Sequence, residues 1–168
     1  HLRPDFEAVV PLHVTAGEVE SRIARMTEDQ LRLIDAVEAN DRVICSGGAG
    51  TGKTLLGLEL AKRWTAAGMT VAMTCHSPWL KNFLERNSPA GLTVCLSDSI
   101  HLAAKRSGID KFDALIVDEG QDVLNMDSLS KLDMYLMDGL ANGRWCFFHD
   151  INNQSGLCGA YVPDAYEY

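Results

Sequence analysis

One octapeptide constrains this chain more than any other feature: Gly47-Gly48-Ala49-Gly50-Thr51-Gly52-Lys53-Thr54. Its spacing is G-x-x-x-x-G-K-T. It lies between an apolar run over residues 42–46 and a helix-like stretch from about residue 52 to 67 that Gly68 stops. Glycines let consecutive backbone N–H groups turn inward and form a nest for anionic oxygens. A helix starting at Gly52 adds its own unpaired N–H groups and the positive end of its dipole. Lys53 is then the mobile cation for the β- and γ-phosphates of a nucleotide, and the Thr54 hydroxyl is an oxygen ligand of the kind Mg²⁺ prefers. Gly48, Ala49, Gly50, Thr51, Gly52, Lys53 and Thr54 are accordingly the candidate binders of Mg-ATP.

The rest of the chain alternates strand-like and helix-like segments. Thr15 and Glu18 have capping-box spacing ahead of a short helical stretch to about residue 25. Thr27 and Gln30 repeat that spacing before the stripe Leu31, Ile34 and Val37. Strands are expected at 42–46, 70–75, 92–96, 114–118 and 145–149, and helices at 78–86, 99–106 and 127–138. That order calls for an α/β fold, a mostly parallel sheet sandwiched by helices. With 168 residues the chain has room for one main domain, placed at 26–155. Residues 1–25 read as an N-terminal extension, and 156–168, with Gly156, Gly159 and Pro163, as an irregular tail.

A second motif stands at the end of the strand 114–118, which runs into Asp118-Glu119-Gly120-Gln121-Asp122. Ligands of open α/β sheets sit beyond the carboxyl ends of strands. Asp118 is therefore the candidate Mg²⁺ ligand beside Thr54, and Glu119 the candidate base that orients and deprotonates an attacking water. The alternative is a solvated acidic turn that caps the next helix.

The formal charge of −8 counts against a domain that grips nucleic acid unaided, though not against one wall of a shared groove. Of the five cysteines, Cys45, Cys75, Cys95, Cys146 and Cys158, none forms a C-x-x-C pair. They read as small buried hydrophobes of a reducing cytosol rather than as a metal or redox site. No apolar run approaches the roughly 18 residues of a membrane span, and no secretory leader is recognisable, so a cytoplasmic location is expected. The first residue is His1 rather than Met, which points to a piece of a longer protein.

The glycine-rich loop and Asp118-Glu119-Gly120-Gln121-Asp122 resemble the motifs of superfamily 1 helicases of the UvrD/Rep-like branch, whose acidic motif is D-E-x-Q-D. Met26-Thr27-Glu28-Asp29-Gln30 is similar to that family's Q motif, in which the glutamine reads the adenine edge. For Gln30 the helix-capping role stands beside that one, and one side chain can serve both. Residues 74–80 and 97–101 lie where the family has two single-strand-binding motifs. The resemblance offers Trp79 as a base-stacking platform, with a core position as the alternative. Lys81, Lys105 and Arg106 are offered as phosphate contacts, with a solvated face as the alternative.

Phe147-Phe148-His149-Asp150 followed by Gln154 looks like motif III, G-D-x-x-Q. His149 stands in place of the glycine, Asn153 occupies the usual glutamine position, and Gln154, one residue later, is assigned to sense the γ-phosphate. The resemblance covers about residues 26–155 and implies the first of two RecA-like domains, with the strand 145–149 between 42–46 and 114–118. It also implies a second RecA-like domain in cis that supplies an arginine, and single-stranded DNA or RNA as partner. After Asp118 the only basic residues are Lys131 and Arg144, neither in a motif-like setting. Rival readings are a P-loop small-molecule kinase or signalling NTPase, and a helicase-derived binding module that no longer unwinds.

Overall fold

In strand 114–117 every residue is apolar, so both faces must be covered, and the side chains sort by parity. Ala114 and Ile116 join one buried cluster, while Leu115 and Val117 join another. The same split recurs in strand 144–150, with Cys146 and Phe148 on the first face and Phe147 on the second. These layers come from a computed structural model that describes residues 21, 26–48, 50–120 and 123–150. The expected helix over 15–25 and the rest of the N-terminal extension lie outside the described residues, apart from Ser21. So do Ala49, Gln121, Asp122, Asn153, Gln154, Cys158 and the tail 156–168.

The elements run α1 (Glu28–Glu38), β1 (Arg42–Gly47), α2 (Lys53–Ala66), β2 (Val71–Cys75), α3 (Pro78–Asn87) and β3 (Leu92–Leu96). A 3₁₀ turn (Ser97–Ser99) follows, then α4 (Ile100–Ser107), β4 (Ala114–Val117), α5 (Met126–Tyr135), α6 (Gly139–Asn142) and β5 (Arg144–Asp150). The sheet has five strands in the order β1-β5-β4-β2-β3, and every pair is parallel. Helices α1, α2 and α3 cover one face, and α4, α5 and α6 the other. This is the α/β, RecA-like arrangement expected, and β5 lies between β1 and β4 as the resemblance implied. A sheet in which β1 and β4 touched directly would have favoured the kinase-like rival.

One expected helix is divided. The stretch 127–138 reads as continuous, but α5 ends at Tyr135 and Leu136 turns extended, at φ −95° and ψ 134°. The competing interaction is with Phe112, whose N–H donates to the Tyr135 carbonyl at 2.8 Å while its carbonyl accepts from Met137 N–H at 2.8 Å. Leu136 and Phe112 are both buried in the second core, so tertiary pairing outweighs helix propensity here. Asp138 then adopts φ 61°, and α6 forms as a separate short turn.

Candidate nucleotide site

Among the described residues, α1 and α5 place acids in their first turns, Glu28 and Asp29 in one and Asp127 in the other. Helix α2 has none, and its N-cap Gly52 makes no side-chain capping bond. Its N-terminal N–H groups and dipole are thus left for an anion from outside the chain. Gly50 and Gly52 sit at φ 76° and 84°, a left-handed region costly for any residue with a Cβ. The Thr51 hydroxyl donates to the Gly48 carbonyl at 2.9 Å and closes the loop on itself. Lys53 Nζ lies inside that turn, donating to the Gly47 and Gly48 carbonyls at 2.8 and 2.7 Å.

The acidic motif meets α2 directly. The Thr54 hydroxyl donates to Asp118 Oδ2 at 2.6 Å. Asp118 follows β4 immediately, and its N–H donates to the Thr74 carbonyl at 2.8 Å, which holds the end of β4 against β2. Asp118 is only 2% exposed, and α5 is capped by Asn125, whose side chain accepts from Ser128 N–H. Asp118 is therefore neither solvated nor the cap of α5. Burial pushes the Asp118 carboxyl above the ordinary carboxylate range, against the opposing pull of the Thr54 hydroxyl, the Glu119 N–H and Lys53.

Glu119 takes φ 57°, a conformation uncommon outside glycine, and its N–H donates to Asp118 Oδ1 at 3.0 Å. Beneath them the Cys75 thiol is pushed up to about 12, first by burial and then by the charges of Glu119 and Asp118. A buried carboxylate beside a hydroxyl is an oxygen-only donor set, which fits Mg²⁺ rather than a soft metal.

Gln30 serves two ends at once. Its Oε1 accepts from Thr27 N–H at 2.9 Å and the Thr27 hydroxyl accepts from Gln30 N–H at 3.3 Å, so the capping box forms. Its Nε2 donates to the Thr51 carbonyl at 3.2 Å. A Cβ on Gly52 would lie 3.2 Å from that nitrogen, so the glycine also gives the amide room against the loop. Arg63 anchors α1 to α2 through Asp35 and Glu38 at 2.9 and 2.8 Å, and within α2 it pairs with Glu59 at 3.2 Å. Asp35 first, and then Glu38, hold its guanidinium above the ordinary arginine range.

Other candidates fall in varied places. Trp79 is 39% exposed and stacks on Phe83 at a centroid distance of 6.2 Å, so the core alternative fails for it. Lys81 pairs with Glu85 within α3. Lys105 and Arg106 are exposed in the last turn of α4, which returns from the end of β3 toward the amino end of the sheet, away from the loop. Arg144 opens β5 at that same far end, bonded to Asp41 and set over the Trp64 ring. Lys131 pairs with Asp98. Cys45, Cys75, Cys95 and Cys146 are buried, and the first, second and last lie in the first core cluster.

Sequence reading does not name Asp150 as a site residue, though the strand order implied by the resemblance carries it to the γ-phosphate side of the loop. β5 pairs Asp150 with Gly47, and its Oδ2 comes within 3.7 Å of Lys53 Nζ. The strand order was the one signal for this proximity. It also missed the Gln30 contact with Thr51, which no spacing rule announces across 21 positions.

A family model described as an AAA domain matches residues 25–133, a span from Gln30 through the loop to Asp118 and Glu119. No curated protein matches the chain.

Proposed function

Because the chain belongs to the AAA-domain family of P-loop NTPases, whose members bind and hydrolyse nucleoside triphosphates, we propose that it is the first RecA-like motor domain of a superfamily 1 helicase-like protein. In the whole protein it would couple ATP hydrolysis to movement on single-stranded DNA or RNA. The observation that carries the reading is the insertion of β5 between the loop strand β1 and the acidic strand β4. That order brings the end of a third strand to the phosphate site, where the family's motif III lies. The exposed Trp79, in the first turn of α3 where the resemblance puts a base-stacking side chain, supports a nucleic-acid partner.

Each residue then has a task. Backbone N–H groups of residues 48–52 cradle the phosphates, Lys53 holds the β- and γ-oxygens, and Gln30 reads adenine. Thr54 and Asp118 would hold Mg²⁺, which when bound would supply positive charge to offset that of the phosphates. Glu119 orients a water and takes its proton as the water oxygen bonds to the γ-phosphorus and the bond to the β-phosphate bridging oxygen breaks. Gln154 senses the γ-phosphate. A second RecA-like domain in cis closes the site and supplies an arginine.

The test is steady-state ATPase of the longest form of the protein, with and without single-stranded DNA and RNA, beside an assay for phosphoryl transfer to small metabolites. Stimulation by a single strand is expected. Transfer to a metabolite with no stimulation would overturn the motor reading in favour of a kinase.

A further inference from the structure

We infer that Asp150 sets the preference of this site between nucleotide states by holding Lys53 when no γ-phosphate is present. The inference rests on the reading of residues 47–54 as a nucleotide phosphate loop. Parallel pairing aligns Asp150 with Gly47, so its backbone is fixed beside the start of the loop by the β1–β5 ladder. Its Oδ2 lies 3.7 Å from Lys53 Nζ, and both side chains are largely buried, at 18% and 15% exposure. An ammonium has three N–H donors. Two of those on Lys53 go to the Gly47 and Gly48 carbonyls. At 3.7 Å Asp150 meets the ammonium as an ion pair rather than a hydrogen bond, and a γ-phosphate oxygen competes with it for that charge and takes the third N–H.

Charge sharpens the competition. Asp118, Glu119 and Asp150 all stand at the carboxyl ends of β4 and β5, with Lys53 as the facing cation. A γ-phosphate entering there must displace one carboxylate from Lys53 and then sit near it. The β-phosphate lies deeper in the nest, where backbone N–H groups rather than Lys53 alone bind it. Because Lys53 also reaches the β-phosphate, Asp150 weakens the binding of both nucleotides, but that of the triphosphate more. On triphosphate binding Lys53 exchanges Asp150 for the γ-phosphate, which makes the end of β5 sensitive to whether that group is present.

Calorimetric titration of the chain with the β,γ-imido analogue of ATP and with ADP, each with Mg²⁺ and with EDTA, decides the matter. Asp150→Asn should bind the triphosphate analogue about 3- to 10-fold more tightly, with or without Mg²⁺, and change ADP affinity by less than about twofold. Asp150→Ser serves the same purpose if the amide variant does not fold, and a melting curve reports folding for both. Weaker triphosphate binding, no change, or equal tightening of both nucleotides would overturn the inference. Lys53→Ala tests the underlying reading separately. If the native chain binds neither nucleotide more tightly than Lys53→Ala does, the loop is not a nucleotide site and the role of Asp150 falls with it.

Discussion

Thr54 and Asp118 are 64 positions apart in the chain, yet the hydroxyl of one donates to the carboxylate of the other at 2.6 Å. Thr54 stands in the first turn of α2 and Asp118 immediately after β4, so the bond joins the two motifs that carry the chemistry. Two such bonds, from Thr54 and from the Glu119 N–H, accompany a carboxyl that is almost wholly removed from water. Burial nonetheless dominates and its proton affinity rises. A carboxylate buried this deeply costs stability whenever it is charged, and that cost is measurable.

Asp118→Asn should stabilise the chain in the absence of nucleotide and metal. An acid whose folded pKa exceeds its unfolded value binds more protons when folded. Its contribution therefore favours folding at low pH and is lost as pH rises from the ordinary carboxylate value, about 4, through the raised folded value. The amide keeps the shape without the buried charge and should raise stability at neutral pH by more than about 1 kcal/mol. Urea unfolding of both proteins between pH 4 and neutrality, in EDTA, checks this. If the difference between them does not grow with pH, Asp118 is not the group responsible. Added Mg²⁺ and nucleotide should reverse the ranking, because only the carboxylate holds the metal well.

Glu119→Gln should separate binding from turnover. The backbone is held by the bond from the 119 N–H to Asp118, which the substitution leaves in place, so the φ of 57° is retained. The amide cannot accept a proton, and loss of a general base costs about 10²–10⁴-fold in rate. Single-turnover hydrolysis in the whole protein measures the loss, and calorimetry should find nucleotide affinity within about threefold of native. A fall in turnover smaller than about tenfold would mean that another group takes the proton.

Gln30→Glu divides the two roles of that side chain. A carboxylate oxygen still accepts from Thr27 N–H, so the α1 cap survives and the melting temperature should stay within a few degrees of native. The donor to the Thr51 carbonyl is lost, and an anion faces that oxygen instead. If Gln30 reads adenine, the preference for ATP over GTP should fall by about tenfold, the effect of one lost polar contact. Unchanged base preference would leave Gln30 a capping residue that also steadies the loop.

Much of this was legible because it is local. The loop pattern, the Thr27–Gln30 cap and the all-apolar strand 114–117 each carry their geometry within a few residues, and the order of strands and helices followed. What was not legible depends on distance in sequence. Helix 127–138 reads as continuous because nothing near it announces that Phe112 will claim Leu136 and Met137. Asp150 comes to the loop in the strand order that the resemblance implied, but its facing of Lys53 depends on the β1–β5 register, which no local pattern gives. The positive φ of Glu119 could not be foreseen either, since an isolated sequence would place glycine or asparagine there.

The last prediction concerns residues 1–168 by themselves, which should turn ATP over far more slowly than a longer form carrying a second RecA-like domain. In the proposed reading Lys53, Thr54, Asp118 and the N-terminus of α2 address the phosphates from one side. Charge that develops on the transferring phosphoryl group calls for a further cation, and an arginine supplied from outside the loop is worth about 10³–10⁵ in rate. Three of the described arginines are committed elsewhere. Arg63 is tied to Asp35, Glu38 and Glu59, Arg42 to the Ala141 carbonyl, and Arg144 to Asp41 at the far end of the sheet. An open site also leaves water around the nucleotide, which weakens each electrostatic contact. Single strands should stimulate the chain little, because its charge of −8 repels phosphates and one wall does not make a groove. Steady-state ATPase of the chain and of the longer form, each with and without an oligonucleotide, measures the difference. A chain that matches the stimulated rate of the longer form would be a complete enzyme, and the arginine from a second domain would have no part in its chemistry.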